Sequence, residues 1–340
     1  MTSSPFDRSD FIIIKKLFIR PIDSRLRFFW KFGLIIILGQ ILANIIGALL
    51  GYFLVSYFSY VRKEIVDINA LQNNPVVIGI CMIIGQVILL FLVLFFIKKI
   101  DKREFKETGV MFNKKSITHF LLGCIIAIIS IFSAILIYYI LGCAGYKLVK
   151  GIEFNSINDI NLFSWLVFGF ILFLLVGFQE ELLCRGYMIT DLSGLKPYWA
   201  ILLPAVIFAS MHLTNPQFSF EGGTRTTNTI IALINIFIIG IILGTYFYVS
   251  RNLWPVIGFH FIWNFVQGSI LGLNVSGFEM GGLMSITLSI KKSSAIFTGG
   301  PIGPEGSVVV LGANIITALL FLMLVLLKTK KKRESFIEPS

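Results

Sequence analysis

Two neighbouring carboxylates and a guanidinium, Glu180, Glu181 and Arg185, stand near the end of a long apolar run, in Phe178-Gln179-Glu180-Glu181-Leu182-Leu183-Cys184-Arg185-Gly186. A charge near the centre of a membrane helix costs on the order of 2.5–3.5 kcal/mol on insertion scales, so three charges this close together imply a use. Neighbours on a helix point about 100° apart, whereas residues four apart share a face. Glu181 can therefore pair with Arg185, which offsets much of the burial cost, while Glu180 is turned away toward another partner. A carboxylate left in that state suits a general base. The competing explanation is structural: an ion cluster that locks this helix to a neighbour.

Two further motifs carry polar groups into apolar surroundings. Phe208-Ala209-Ser210-Met211-His212 sets a histidine near the end of a run otherwise free of titrating groups, where a hydrogen-bonded interface residue is the alternative to a functional one. His260-Phe261-Ile262-Trp263-Asn264 sets an imidazole and a carboxamide four apart on one helical face, so that both can donate to one oxygen. The remaining histidine, His119, lies one turn after Lys115 at the polar start of an apolar run, a position suited to an interfacial role. Cys81, Cys124, Cys143 and Cys184 lie in or beside apolar runs, with no C-x-x-C pair and no histidine at ligand spacing, and are expected to be membrane-embedded thiols.

Such groups need helices in a membrane to hold them. The 340 residues are 56% hydrophobic and 14% charged, with mean hydropathy +0.87, which is too apolar for a soluble core. An all-α polytopic membrane protein follows, with about eight transmembrane helices near 28–60, 75–97, 117–141, 162–192, 197–213, 228–249, 254–273 and 308–327. The three motifs then fall on the fourth, fifth and seventh helices. After the seventh, glycines recur from Gly277 to Gly306, so no single helix is expected there, and any part at membrane depth must be shielded by protein. Residues 1–27 read as a basic cytoplasmic lead-in, 28–327 as the membrane domain and 328–340 as a basic tail.

With both termini cytoplasmic, 21 of the 29 Lys and Arg fall inside and 7 outside, Arg185 being set aside. The net charge of +11 is thus a topology signal and not a sign of nucleic-acid binding. No cleavable signal peptide is expected, because the first apolar run is too long for one. The abundance of Ile, Lys and Asn suggests a bacterial source, and with it the cell membrane.

In this order, Glu180-Glu181-x-x-x-Arg185, Phe208-x-x-x-His212 and His260-x-x-x-Asn264 resemble the three motifs of the CAAX protease and bacteriocin-processing family of intramembrane glutamic endopeptidases, over about residues 160–275. Pro301-Ile302-Gly303-Pro304-Glu305-Gly306 is also similar to a Gly- and Pro-rich segment found late in some such chains. The resemblance implies that Glu180 and His212 hold and deprotonate a water molecule, and that His260 and Asn264 stabilise the oxyanion formed when this water attacks a peptide carbonyl. It further implies that Glu181 and Arg185 support the site by orienting the fourth helix, and that neither cofactor nor metal takes part. The expected partners are the lipid bilayer and a membrane-associated peptide or protein: a CAAX-like tail, a bacteriocin leader or a pheromone precursor.

Other readings stay open on sequence grounds. A non-catalytic immunity or scaffold protein of the same fold would need no chemistry from these residues. A zinc hydrolase could use Glu180, His212 and His260 as ligands, although no H-E-x-x-H occurs. A thiol mechanism would rest on Cys184; a proton-coupled transporter would rest on Glu180 and Glu181 but needs no oxyanion donors, so the His260 and Asn264 pair counts against it. Counting about 1.5 Å per residue puts Glu180 and His212 roughly 18–22 Å from the cytoplasmic helix ends and His260 only about 9 Å, so a tilted helix or a recessed helix end must bring them to one height.

Overall fold

The computed structural model describes residues 27–62, 75–144, 148–155, 160–215, 217–279, 281–289 and 292–337. Apart from Arg27, the expected basic lead-in lies outside the described residues. The chain divides into two compact units, Met1–Phe105 and Lys106–Ser340.

In the first unit, α1 (Phe28–Arg62) packs on α2 (Pro75–Phe95), which runs on as a π-helical turn over Phe96–Ile100. Along α1 large apolar side chains such as Phe29, Leu49 and Phe53 face outward, as a lipid-facing helix requires. Near its start the Lys31 ammonium is buried against the Asp101 carboxylate at 2.6 Å, since a charge that deep needs a counter-charge.

The second unit begins with α3 (Lys114–Cys143). A capping box starts this helix: the Asn113 side chain accepts from the Lys115 N–H at 2.9 Å and Ser116 Oγ accepts from the Asn113 N–H at 3.1 Å. There follow β1 (Val149–Phe154), α4 (Ile160–Glu181), α5 (Pro197–Met211), α6 (Gly223–Ser250), α7 (Trp254–Phe265), β2 (Met284–Leu288), α8 (Lys292–Thr298) and α9 (Val308–Ile337). Two of these helices widen into π-helix at their ends, α4 over Leu182–Ile189 and α7 over Val266–Ile270. β1 and β2 pair antiparallel, with Val149 opposite Leu288 and Phe154 opposite Met284. Neither strand is legible in the spacing of apolar residues; their pairing ties the loop before α4 to the glycine-rich segment after α7.

Helix α7 lies at the centre, packed on α3 and α4, while α9 packs on α3 and α6. A glycine on each helix allows α3 and α7 to touch through their backbones: a Cβ at Gly123 would lie 1.9 Å from the Pro255 carbonyl, and one at Gly258 would lie 2.1 Å from that of Phe120. Around this crossing the rings of Phe120, Phe170, Phe261 and Phe265 stack or meet edge-on at 5.0–5.9 Å between centroids.

Among the described residues seven helices, α1–α6 and α9, are long and apolar enough to cross a membrane, which makes the chain an all-α polytopic membrane protein. The eighth expected span differs. Its helix stops at Ile270, and the first turn is enclosed by protein, with Leu253, Val256 and Ile257 all 0% exposed. The Leu253 N–H donates to Gly109 O at 3.1 Å and the Trp254 indole to Met111 O at 2.8 Å, so the segment before α3 covers the start of α7. The start of α7 is thus covered by protein.

Candidate active site

Glu180 and Glu181 close the α-helical part of α4, and the wider π turn begins immediately after them. All eight residues of that turn are buried, Arg185 included. Such π segments locally re-aim side chains and often mark functional sites. Arg185 Nη1 donates to Glu181 Oε1 at 3.0 Å, so the pair expected from the four-residue spacing forms within one element. The face of the guanidinium lies over Phe208, with Cζ 4.3 Å from the ring centroid.

His212 caps the C-terminus of α5. Its Nδ1 lies 2.8 Å from the carbonyl of Phe208, and because a carbonyl can only accept, Nδ1 carries the proton. When the ring is neutral, Nε2 is thereby left with its lone pair. Phe208 touches both histidines edge-on, with centroids 5.0 Å from His212 and 6.2 Å from His260.

On α7, His260 Nδ1 lies 2.8 Å from Glu181 Oε1, the oxygen that Arg185 also uses, while its Nε2 points at Glu180 Oε2 from 3.8 Å. Glu181 thus accepts from two donors, one of them 79 residues away. His212, His260 and Asn264 line one cavity together with Glu181 and Phe208. Glu180 and Arg185 are not among its lining residues; Glu180 meets the group through His260, with its side chain 18% exposed. His119 does not line the cavity. Glu180, His212 and His260 are not grouped as metal ligands; among the described residues no three His, Cys, Asp or Glu side chains are. Cys81, Cys124 and Cys184 are free thiols, and the side chain of Cys143 lies outside the described residues.

Residues 162–266 match the family described as Rce1-like, type II CAAX prenyl endopeptidase. Over those residues the chain is similar to the CAAX protease family. That stretch runs from the start of α4 to the end of α7 and contains all three motifs. No curated protein and no solved structure matches the chain.

Several features of this site are not legible in the motifs. The bond between Glu181 and His260 is long-range, and the i,i+4 rule assigned Glu181 to Arg185 alone. Phe208 was visible only as a motif letter, whereas in the fold its ring lies against the guanidinium and meets both imidazoles edge-on. Glu305, Asn235, Ser276 and Asn314 also line the cavity, and of these only Glu305 stood in a segment with any sequence signal.

Proposed function

We propose that this CAAX-family protein is an intramembrane glutamate-dependent endopeptidase. Glu180, with the Nε2 lone pair of His212, takes the proton of a water molecule that attacks a peptide carbonyl, and His260 and Asn264 receive the developing oxyanion. The observation that carries this reading is the convergence on His260: one carboxylate, Glu181, holds Nδ1 at 2.8 Å and the other, Glu180, faces Nε2 at 3.8 Å. With Nδ1–H given to Glu181, His260 can donate from Nε2 only as the doubly protonated ring, and the two carboxylates supply the negative charge that such a ring needs. Arg185 balances one of them, which leaves Glu180 as the base. A donor aimed at an oxyanion is worth about 3–4 kcal/mol in the barrier, and a positioned base about 10²–10⁴-fold in rate.

The substrate is a membrane-associated peptide or protein: a CAAX-like tail, a bacteriocin leader or a pheromone precursor. The excess of Lys and Arg at the chain ends supports cytoplasmic termini, with α7 crossing as an eighth span, and the abundance of Ile, Lys and Asn supports a bacterial cell membrane. The test compares membrane peptides from cells carrying the wild type and the Glu180→Ala variant. Glu180→Ala, His212→Ala, His260→Ala and Asn264→Ala are each expected to abolish cleavage, while His119→Ala retains it. Full cleavage by Glu180→Ala overturns the mechanism. A cellular phenotype that persists in all four variants supports instead a non-catalytic immunity or scaffold role.

A further inference from the structure

The loop between α8 and α9, residues 299–307, reads Gly-Gly-Pro-Ile-Gly-Pro-Glu-Gly-Ser, yet its residues 302–307 are buried. Two asparagines seven apart on α6, and so on one helical face, hold it. Asn228 Nδ2 donates to Gly306 O at 2.8 Å, and Asn235 Nδ2 to Glu305 O at 2.8 Å and Ser307 O at 2.9 Å. Gly303, at φ 101°, packs on Asn274, whose carbonyl oxygen would lie 2.3 Å from a Cβ, so only glycine fits. A composition typical of a surface turn is here fixed inside the protein.

This frame presents the Glu305 carboxyl, 7% exposed, to the cavity lined by His212, His260 and Asn264. Oε2 accepts from Gln267 Nε2 at 2.8 Å and Oε1 from the Ser276 N–H at 3.2 Å. Ser276 takes φ 47°, a strained backbone for a residue other than glycine, which persists only where the surroundings demand it. The backbone N–H of Glu305 and the Ser276 hydroxyl also bond the carboxyl, so every one of these donors is neutral and none brings it a positive charge. Among the described residues no Lys, Arg or His pairs with Glu305, and burial pushes its carboxyl up to about 7. Much of the remaining lining is apolar, including Ile236, Ile239, Leu243 and Trp263. His260, Asn264 and Gln267 stand at i, i+4 and i+7 on one face of α7, so Gln267 lies about 10 Å along the helix from His260. Extended peptide covers that distance in about three residues.

Building on the proteolytic reading, we propose that Glu305 is a specificity-determining residue: it receives the ammonium or guanidinium of a substrate Lys or Arg within about three residues of the scissile bond. The apolar walls hold the methylenes of that side chain. The probe is a series of apolar peptides in detergent micelles, in which a single Lys, norleucine or Glu is moved residue by residue. Binding is measured on the Glu180→Gln protein, and cleavage on the wild type.

At one position the Lys peptide is expected to bind at least about tenfold more tightly than its norleucine counterpart, a difference of about 1.4 kcal/mol. That ratio falls toward one when Glu305→Gln is added, whereas Glu305→Asp, which keeps the charge, retains a Lys preference. Because both ligands are compared on one preparation, a smaller folded fraction does not alter the ratio. Equal binding at every position, a Lys preference that survives Glu305→Gln, or a preference for Glu overturns the assignment. A Glu305-dependent Lys preference with no cleavage by the wild type keeps the cation site and removes the proteolytic reading; cleavage without the preference does the reverse.

Discussion

Replacing Glu181 by Ala tests whether this carboxylate is the anchor of the site. Its side chain is 0% exposed, and Oε1 accepts from Arg185 at 3.0 Å and from His260 at 2.8 Å. Removing one partner of a buried ion pair costs about 3–5 kcal/mol, because the other charge stays buried and uncompensated. The Phe208 ring, 4.3 Å from the guanidinium, still attracts it, but a cation–π contact is worth only about 0.5–2 kcal/mol and cannot replace the carboxylate. Glu181→Ala is therefore expected to lose about 3 kcal/mol in SDS-driven unfolding from mixed micelles. Adding Arg185→Met removes the stranded charge, and apolar replacements of whole buried pairs are often neutral or better, so the double variant should recover most of that loss. Cleavage, assayed separately, should stay at least about 10²-fold down in both, because His260 has lost the acceptor that holds its Nδ1 proton. A loss below about 1 kcal/mol in Glu181→Ala, or a double variant no more stable than the single one, refutes this reasoning.

Two further outcomes are expected. Burial lifts the Glu305 carboxyl from its ordinary 4.5 to about 7, so the folded state keeps a proton that the unfolded chain releases. This contribution is fully present below the unfolded value and lost as pH rises through the folded one, about 3 kcal/mol over that window. Unfolding free energies of the wild type should therefore fall between those pH values and those of Glu305→Gln should not; parallel profiles would rule the effect out. Gly258→Ala drives a methyl to 2.1 Å from the Phe120 carbonyl, which forces α3 and α7 apart and should lower the melting temperature in detergent by the equivalent of about 1–3 kcal/mol. An unchanged melt would mean that this crossing is looser than described.

Local geometry made part of this protein legible. An apolar period long enough for membrane helices, the basic residues at their ends and the four-residue step from Glu181 to Arg185 are all properties of short stretches, and each appears in the fold as helix or as a bond within one helix. The motif spacing likewise placed His260 and Asn264 on one face of α7. Contacts between elements depend on which helices pack together, and no local pattern encodes them. Glu181 reaches His260 only because α4 and α7 pack side by side, and the start of α7 is held by hydrogen bonds to the segment before α3. Glu305 lines the cavity because an α6 asparagine 70 residues earlier binds its carbonyl, in a loop whose Gly and Pro content alone would place it at the surface. The sequence by itself thus determined the membrane-helical class and the chemical groups. Only tertiary structure decided which nitrogens and oxygens meet between helices, because those contacts are made by packing between elements far apart in the chain.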